Sequence, residues 1–527
     1  MLIVLALAAA ARGWQATESL WVDELHTAWV ISGPFHEVAQ RAGQGNQSPL
    51  FFAAIYPLPR LCGWHEVTLR AVSLVSGVGL VVAVALVTRR WTGSAWAGVA
   101  AAALAATDPR LMYYSLEVRP YALLILLTLC HAFLAIDPAA SRKGAARRRG
   151  LVASAAFVLL GATLFWLHYT AALYLVAVFL FALGMGTLGP ARLRTVYRQW
   201  VVALVLTAAL TLPAVPHVAA IAARRRLWQA FIPQRDFGFA VWGGLAPLDW
   251  CLLVPLLLVL LAVGGFAIRR FFGQRRRRNQ GANGRLGPIW RRVARRFRNR
   301  RFVWTGITVW YVVPVLSAWL ATTLDFAPLF YPRYLLTVAP APLLAGGLLM
   351  GLPPLAWQRG AVAVVLVVAA IAFRLPSPSL DAAGLTWRPV VRSNERWRQA
   401  IAAAPSDRPA FVQAGLIETD EFANARLAAD PYASYPVRTK LYAFPPERIA
   451  AALPTRGDYG AAISPKALHW VRESGGAVLI TRVRGQGARV AAARLADALR
   501  KRGAVVNVTQ VRRFGGVTVV DLGAAPR

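Results

Sequence analysis

Apolar residues in this chain fall in blocks of membrane-spanning length, separated by short polar connections. After the opening run Met1–Ala11, such blocks recur near 67–88, 94–112, 119–136, 151–167, 170–188, 200–217, 249–268, 302–322, 334–352 and 360–373. A helix of roughly 20 apolar residues crosses a hydrocarbon core, so the pattern predicts about eleven transmembrane helices. The first block is short of that length and lacks the basic start of a signal peptide. It reads as a short first span, completed by Arg12–Thr17 or by an upstream start.

After Phe373 the pattern changes. Pro376-Ser377-Pro378-Ser379 breaks the helix, and residues of mixed polarity follow. Ala477–Thr481 and Ala504–Val511 read as strands flanking an amphipathic helix at Ala488–Arg502, with a third strand at Gly516–Leu522. Gly485-Gln486-Gly487 lies in the strand-to-helix turn without the third glycine of a dinucleotide fingerprint, and reads as a plain turn. The expected fold is mainly α: a polytopic transmembrane helical bundle over 1–373, followed by a soluble α/β domain over 374–527.

Composition sharpens this picture. The 527 residues are 57% hydrophobic and their mean hydropathy is +0.48, too apolar for one soluble domain. The net charge of +36 would suggest nucleic acid in a soluble protein. Here the arginines cluster between apolar runs, and the basic stretch Arg269–Arg301 has no interleaved aromatic platform, so a nucleic-acid partner is not expected. Cys62, Cys130 and Cys251 are scattered and support neither a disulfide framework nor a thiolate zinc site.

Charge also orients the bundle. Arg89-Arg90, Arg142 to Arg149, Arg192 to Arg198 and Arg269–Arg301 fall on alternate connections, which the positive-inside rule assigns to the cytosol. The first loop and the tail then face outward, as expected of a multi-pass protein of the plasma (inner) membrane with an extracytoplasmic site. Arg224-Arg225-Arg226 dissents, lying on a connection that parity also places outside.

On that outward face the first loop carries Asp23-Glu24 directly after the first apolar run. Carboxylates at a membrane boundary are costly unless they meet a cavity or a partner; their plain reading is a water-facing helix cap. The aromatics of this loop, Trp29, Phe35, Phe51, Phe52 and Tyr56, suit helices lying in the interface. Three further outward segments converge by topology: Tyr113–Tyr121, which contains Tyr114, Glu117 and Arg119; Leu167-His168-Tyr169; and Tyr331-Pro332-Arg333-Tyr334. Interfacial placement accounts for His168 and the tyrosines, and snorkelling for Arg119 and Arg333.

A carboxylate and arginines outside the bilayer, where soluble nucleotides are lacking, suit a lipid-linked phosphosugar. Its polyprenyl tail stays in hydrocarbon while phosphate and sugar sit at the surface. The carboxylate would act as general base on an acceptor hydroxyl, and guanidinium groups would stabilise the departing phosphate, giving an inverting displacement.

Several motifs, in order, resemble the GT-C superfamily of membrane glycosyltransferases, specifically protein O-mannosyltransferases and lipid A aminoarabinose transferases. They are Trp21-Val22-Asp23-Glu24, Asn46-Gln47-Ser48-Pro49-Leu50-Phe51-Phe52, Glu66 to Leu69-Arg70, Tyr114–Tyr121 and Pro332-Arg333-Tyr334. The resemblance covers about residues 14–350. It implies Asp23 as catalytic base with Glu24 as its neighbour, and a donor site drawn from Arg119, Arg333, Glu117, Tyr114, His168, Tyr334 and Gln47. Gln47-Ser48 replaces the family's His-Pro, and the tail carries no motif of the family. No dense carboxylate cluster calls for a metal, so none is expected.

The donor expected is thus a polyprenyl-phosphate sugar, and the acceptor an extracytoplasmic protein, lipid or cell-envelope glycan. Two other classes answer part of the pattern. A transporter or flippase of lipid-linked sugars would show internal repeats, which are not evident. A non-catalytic membrane scaffold would leave Asp23 dispensable.

Overall fold

The structure is a computed structural model that describes residues 1–137, 147–224, 300–353, 355–374, 395–416, 425–442, 444–483 and 485–524. The expected span at 249–268, most of the basic stretch 269–301 and Arg225-Arg226 lie outside the described residues.

The chain opens with helix α1 (Leu2–Gly13), then a first loop folded into α2 (Val22–Ser32), α3 (Val38–Gln44), α4 (Leu50–Ile55) and α5 (Leu58–Cys62). The body continues with α6 (Glu66–Thr92), α7 (Ala95–Thr107), α8 (Pro109–Ser115), α9 (Tyr121–Ile136), α10 (Arg147–Leu167), α11 (Ala171–Thr187), α12 (Ala191–Thr211) and α13 (Val215–Ala223). After α14 (Arg301–Thr323), a 3-10 turn at Pro332–Val338 leads into α15 (Pro340–Met350), and α16 (Ala356–Arg374) follows.

Among the described residues three helices are long and apolar enough to cross a membrane: Glu66–Thr92, the run Leu193–Ala223 and Arg301–Thr323. Pro332–Val338 and Pro340–Met350 together form a fourth, bent by 42°. Most other expected spans appear as shorter apolar helices.

Local chemistry fixes the boundaries. Asp108 caps α8 by accepting from the amides of Arg110 at 2.9 Å and Leu111 at 3.2 Å, with Pro109 at the first helical position. Gly93 closes α6 in the left-handed conformation. Between α6 and α7 the contact is close because α7 is alanine-rich: a Cβ on Gly98 would lie 2.8 Å from the Ala85 carbonyl oxygen. Small residues of this kind let membrane helices approach.

Arg12 is 1% exposed, an unusual setting for a guanidinium. It donates to Ser115 Oγ at 3.2 Å and to the carbonyls of Ala106 at 3.0 Å and Ala105 at 3.3 Å, pinning α1 to the end of α7 and to α8. At the opposite end of α6, Arg90 pairs with Asp137 at 3.2 Å, just past α9. Arg300 donates to the Thr92 carbonyl at 2.6 Å beside them. The ends of α6, α9 and α14 with these basic residues are therefore gathered away from Asp23.

Among the described residues the tail forms a five-stranded mixed sheet in the order β2-β1-β3-β5-β4. Its strands are β1 (Ala410–Gln413), β2 (Ile449–Ala452), β3 (Gly476–Thr481), β4 (Val506–Phe514) and β5 (Val517–Ala524), with β1 parallel to β2 and β3, and β5 antiparallel to β3 and β4. The last three strands and the helix Gln486–Lys501 follow the sequence pattern. Strands β1 and β2 were not expected; at four residues each and buried throughout, they lack the polar alternation that marks a strand.

The period of two along the strands sorts the sheet into faces. Phe411, Leu479, Val520 and Leu522 share a core with Leu495 and Leu499 of Gln486–Lys501 and with Val471 of Pro465–Ser474. Ala410, Val412, Val478, Ile480, Val517 and Val519 join the same core as α2 and the helical body. This contact corrects one expectation about the first loop. Trp29, Phe51 and Phe52 are buried, because α2 and α4 are enclosed by other elements, whereas Phe35 is exposed.

Candidate active site

The acidic pair sits in the first turn of α2, and its two members go separate ways. Glu24 and Arg70 have no exposed side-chain surface and meet through both prongs of the guanidinium: Nε donates to Oε1 at 3.0 Å and Nη2 to Oε2 at 2.7 Å. The same carboxylate accepts from the amides of Val118 at 3.1 Å and Trp21 at 3.3 Å. Arg70 Nη1 donates to the carbonyls of Ala16 at 2.8 Å and Glu18 at 2.7 Å. One buried ion pair thus ties the entry to α2, the start of α6 and the loop after α8.

Successive helix positions point about 100° apart, so Asp23 faces elsewhere. Its side chain is 27% exposed, and Oδ2 lies 3.6 Å from both Arg119 Nη2 and Arg333 Nη1. These are ion-pair distances too long for hydrogen bonds. Arg119 Nε and Nη1 and Arg333 Nε are buried donors with no hydrogen-bond partner among the described residues. Buried donors are normally satisfied, and guanidinium N–H groups gathered this way are built for an anion.

Each arginine is held by its backbone. In the turn between α8 and α9, the Arg119 amide donates to the Glu117 carbonyl at 2.8 Å. Thr27 Oγ1 donates to the Val118 carbonyl at 2.8 Å and Ser73 Oγ to that of Arg119 at 3.3 Å. Arg333 emerges from the 3-10 turn with its guanidinium over the rings of Tyr331 at 5.2 Å and Tyr334 at 5.5 Å. Aromatic contacts continue from Tyr334 to His168 at 5.9 Å, to Tyr121 at 5.8 Å and to Tyr114 at 5.1 Å between ring centroids. His168 Nδ1 is 2.7 Å from Thr170 Oγ1. Four separate segments of the sequence are therefore in one place.

Electrostatics divides these groups. Burial, followed by the charges of Glu24 and Asp23, pushes the Glu117 carboxyl up to about 8, against the opposing effects of its hydrogen bond with Tyr113 and of Arg119. Burial and the nearby Arg333 and Arg119 cations lower His168 to about 4, so its imidazole is neutral at pH 7. Burial likewise lowers His26, one turn along α2 from Asp23, to about 3.

Gln47 makes a local contact. Its amide donates to the Gly45 carbonyl at 3.3 Å, in a segment whose neighbour Ser48 bonds the Trp166 carbonyl. Arg224 donates to the Gly43 carbonyl at 2.9 Å, so the arginine that dissents from the charge pattern fastens the first loop. Sequence reasoning gave no site role to Arg70, Thr27, Glu395 or Tyr435. Arg70 carried a signal, a lone cation three residues into the apolar run 67–88; the tail residues carried none. Among the described residues no group of three or more His, Cys, Asp or Glu side chains is placed to hold a metal ion.

No family model matches the chain, and no curated protein matches it. Solved structures that it resembles include ArnT from Cupriavidus metallidurans in the apo state and ArnT from the same organism bound to undecaprenyl phosphate. Each is 13% identical to this chain, covers 99% of it and 97% of the solved chain, and has a TM-score of 0.49.

Proposed function

We propose that this protein is an integral membrane glycosyltransferase that moves a sugar from a polyprenyl-phosphate-linked donor to an acceptor outside the cytoplasm. The observation that carries this reading is the half-open Asp23 carboxylate facing Arg119 and Arg333, whose buried Nε and Nη1 (Arg119) and Nε (Arg333) donors have no hydrogen-bond partner among the described residues. In this reading the lipid phosphate occupies those donors, and the sugar's anomeric carbon lies between phosphate and Asp23.

Asp23 accepts the proton of the acceptor hydroxyl as that oxygen attacks the anomeric carbon. The bond from this carbon to the phosphate oxygen breaks as the new glycosidic bond forms, and the configuration inverts. The leaving phosphate gains charge at the transition state, where fixed guanidinium groups stabilise it more than in the ground state. Glu24 is a positioning residue, since its oxygens are taken up by Arg70 and two amides. Glu117, Tyr114, His168 and Tyr334 line the donor side, with His168 acting as a neutral hydrogen-bonding group. About eleven spans, with the first loop and tail outside, accord with this reading.

The test is transfer from a synthetic polyprenyl-phosphate sugar by the full-length protein in lipid nanodiscs. Asp23→Asn is expected to lower turnover by at least about 1000-fold while binding of the donor lipid persists. Transfer by that variant at near the wild-type rate would remove the assignment.

A further inference from the structure

Helix α2 begins without an N-cap of its own. The residue at that position is Trp21, which offers no side-chain oxygen to the first amides of the helix. Two carboxylates fill the gap, one from the helix's own first turn and one from the tail. Glu24 reaches back to the Trp21 amide at 3.3 Å, and Glu395, from the tail, accepts from the Val22 amide at 3.0 Å.

The tail grips this point more than once. The Val22 carbonyl accepts from Tyr435 Oη at 3.0 Å, so both backbone groups of the residue preceding Asp23 are held by the tail. Leu20 donates its amide to Tyr442 Oη at 2.8 Å, and that hydroxyl lies 3.0 Å from Glu66 Oε1. Arg398 pairs with the same Glu66 oxygen at 3.0 Å.

Glu395 is itself held in place. It is 6% exposed and bridges to Gly515 between β4 and β5. Its Oε1 accepts from Arg482 Nε, just past β3, at 3.0 Å, and Arg482 Nη2 forms an ion pair with the same oxygen at 2.8 Å. Oε2 accepts from Trp397 Nε1 at 2.8 Å while facing Val22. With three hydrogen bonds and an ion pair fixed by Arg482, Trp397 and Val22, this carboxylate transmits the position of the sheet to the first turn of α2. A negative group there is also favoured by the helix dipole.

We propose that Glu395 is a positioning residue for Asp23: the tail supplies the missing cap of α2 and thereby aims the Asp23 carboxylate between Arg119 and Arg333. This rests on the reading of Asp23 as the base. A transferase of this design is incomplete without its tail, because the helix that carries the base starts at a cap contributed some 370 residues later in the chain.

The experiment uses full-length protein in nanodiscs and reads two quantities: amide hydrogen exchange in peptides covering residues 20–25, and steady-state transfer. Glu395→Ala is expected to speed exchange at Val22 and to lower kcat, each about tenfold, with the donor KM near wild type, as loss of one charge-assisted hydrogen bond implies. Glu395→Gln keeps an acceptor for Val22 and should recover part of both effects. If Glu395→Ala does not fold, Tyr435→Phe, which removes only the hydroxyl on the Val22 carbonyl, should shift both quantities in the same direction.

Unchanged kcat in a folded Glu395→Ala protein would overturn the proposal, whatever its exchange. Exchange that rises equally across β3 and β5 would overturn it too, by showing a merely structural role. Failure of the reading it rests on is distinguishable: transfer persisting in Asp23→Asn removes Asp23 as the base, and absence of transfer by the wild-type protein removes the transferase.

Discussion

Arg70 holds Glu24 with both ends of its guanidinium, at 3.0 and 2.7 Å, and neither side chain has exposed surface. Removing one partner of such a pair leaves an uncompensated buried charge. Arg70→Met is expected to destabilise the protein by about 3–5 kcal/mol, seen as a lower unfolding midpoint by tryptophan fluorescence. Arg70→Lys should rescue little, because an ammonium cannot reproduce the planar fork.

Arg119 and Arg333 approach one carboxylate oxygen from different segments, but they differ in burial, at 7% and 37% side-chain exposure. Replacing either by Ala should weaken binding of a polyprenyl phosphate about 10–100-fold, with the larger loss at Arg119, where screening by water is weaker. Equilibrium binding of labelled lipid phosphate in nanodiscs checks this. Wild-type affinity in both variants would remove the anion-clamp assignment.

Glu117 supplies a pH signature of stability. Its folded-state pKa of about 8 lies above the ordinary carboxylate value of 4.5, so the unfolded chain loses this proton first as pH rises. The unfolded state then binds fewer protons, and stability falls with rising pH between about 4.5 and 8 before levelling. Glu117→Gln lacks this term. Its unfolding midpoint should match wild type near pH 4 and exceed it increasingly up to pH 8, by an amount on the order of 1–4 kcal/mol. A constant difference across that range would contradict the assignment.

Gly45 backs directly onto His26, and a Cβ there would collide with the imidazole atoms Cε1 and Nε2. That ring cannot move aside, being enclosed by Trp29, Phe52, Tyr432 and Tyr435 at centroid distances of 5.4–6.0 Å. Gly45→Ala should therefore cost about 1–3 kcal/mol of stability. Adding His26→Ala should recover part of the loss, and a double-mutant cycle in thermal unfolding measures that coupling.

Hydrophobic length and charge parity were strong signals because the bilayer imposes them on every span separately. Together with the period-two pattern of the tail they gave the helical body and the strands of the tail's second half. The signals failed where burial removed the contrast between polar and apolar positions. Strands β1 and β2 are apolar on both faces, and the first-loop aromatics look the same whether they meet lipid or the rest of the protein. Glu24 and Asp23 are indistinguishable as neighbours in sequence, yet one is closed off by Arg70 and the other left half-open.

The chain's linear pattern thus determined where the apolar helices of the body and the polar connections between them fall, since each apolar run must be buried along its length and each polar connection must stay hydrated. Only the tertiary structure decided that Arg70 neutralises Glu24, that three distant segments gather around Asp23, and that Glu395 caps the helix bearing it. Those contacts join residues tens to hundreds of positions apart, and their energies depend on distances and burial that no local window of sequence contains.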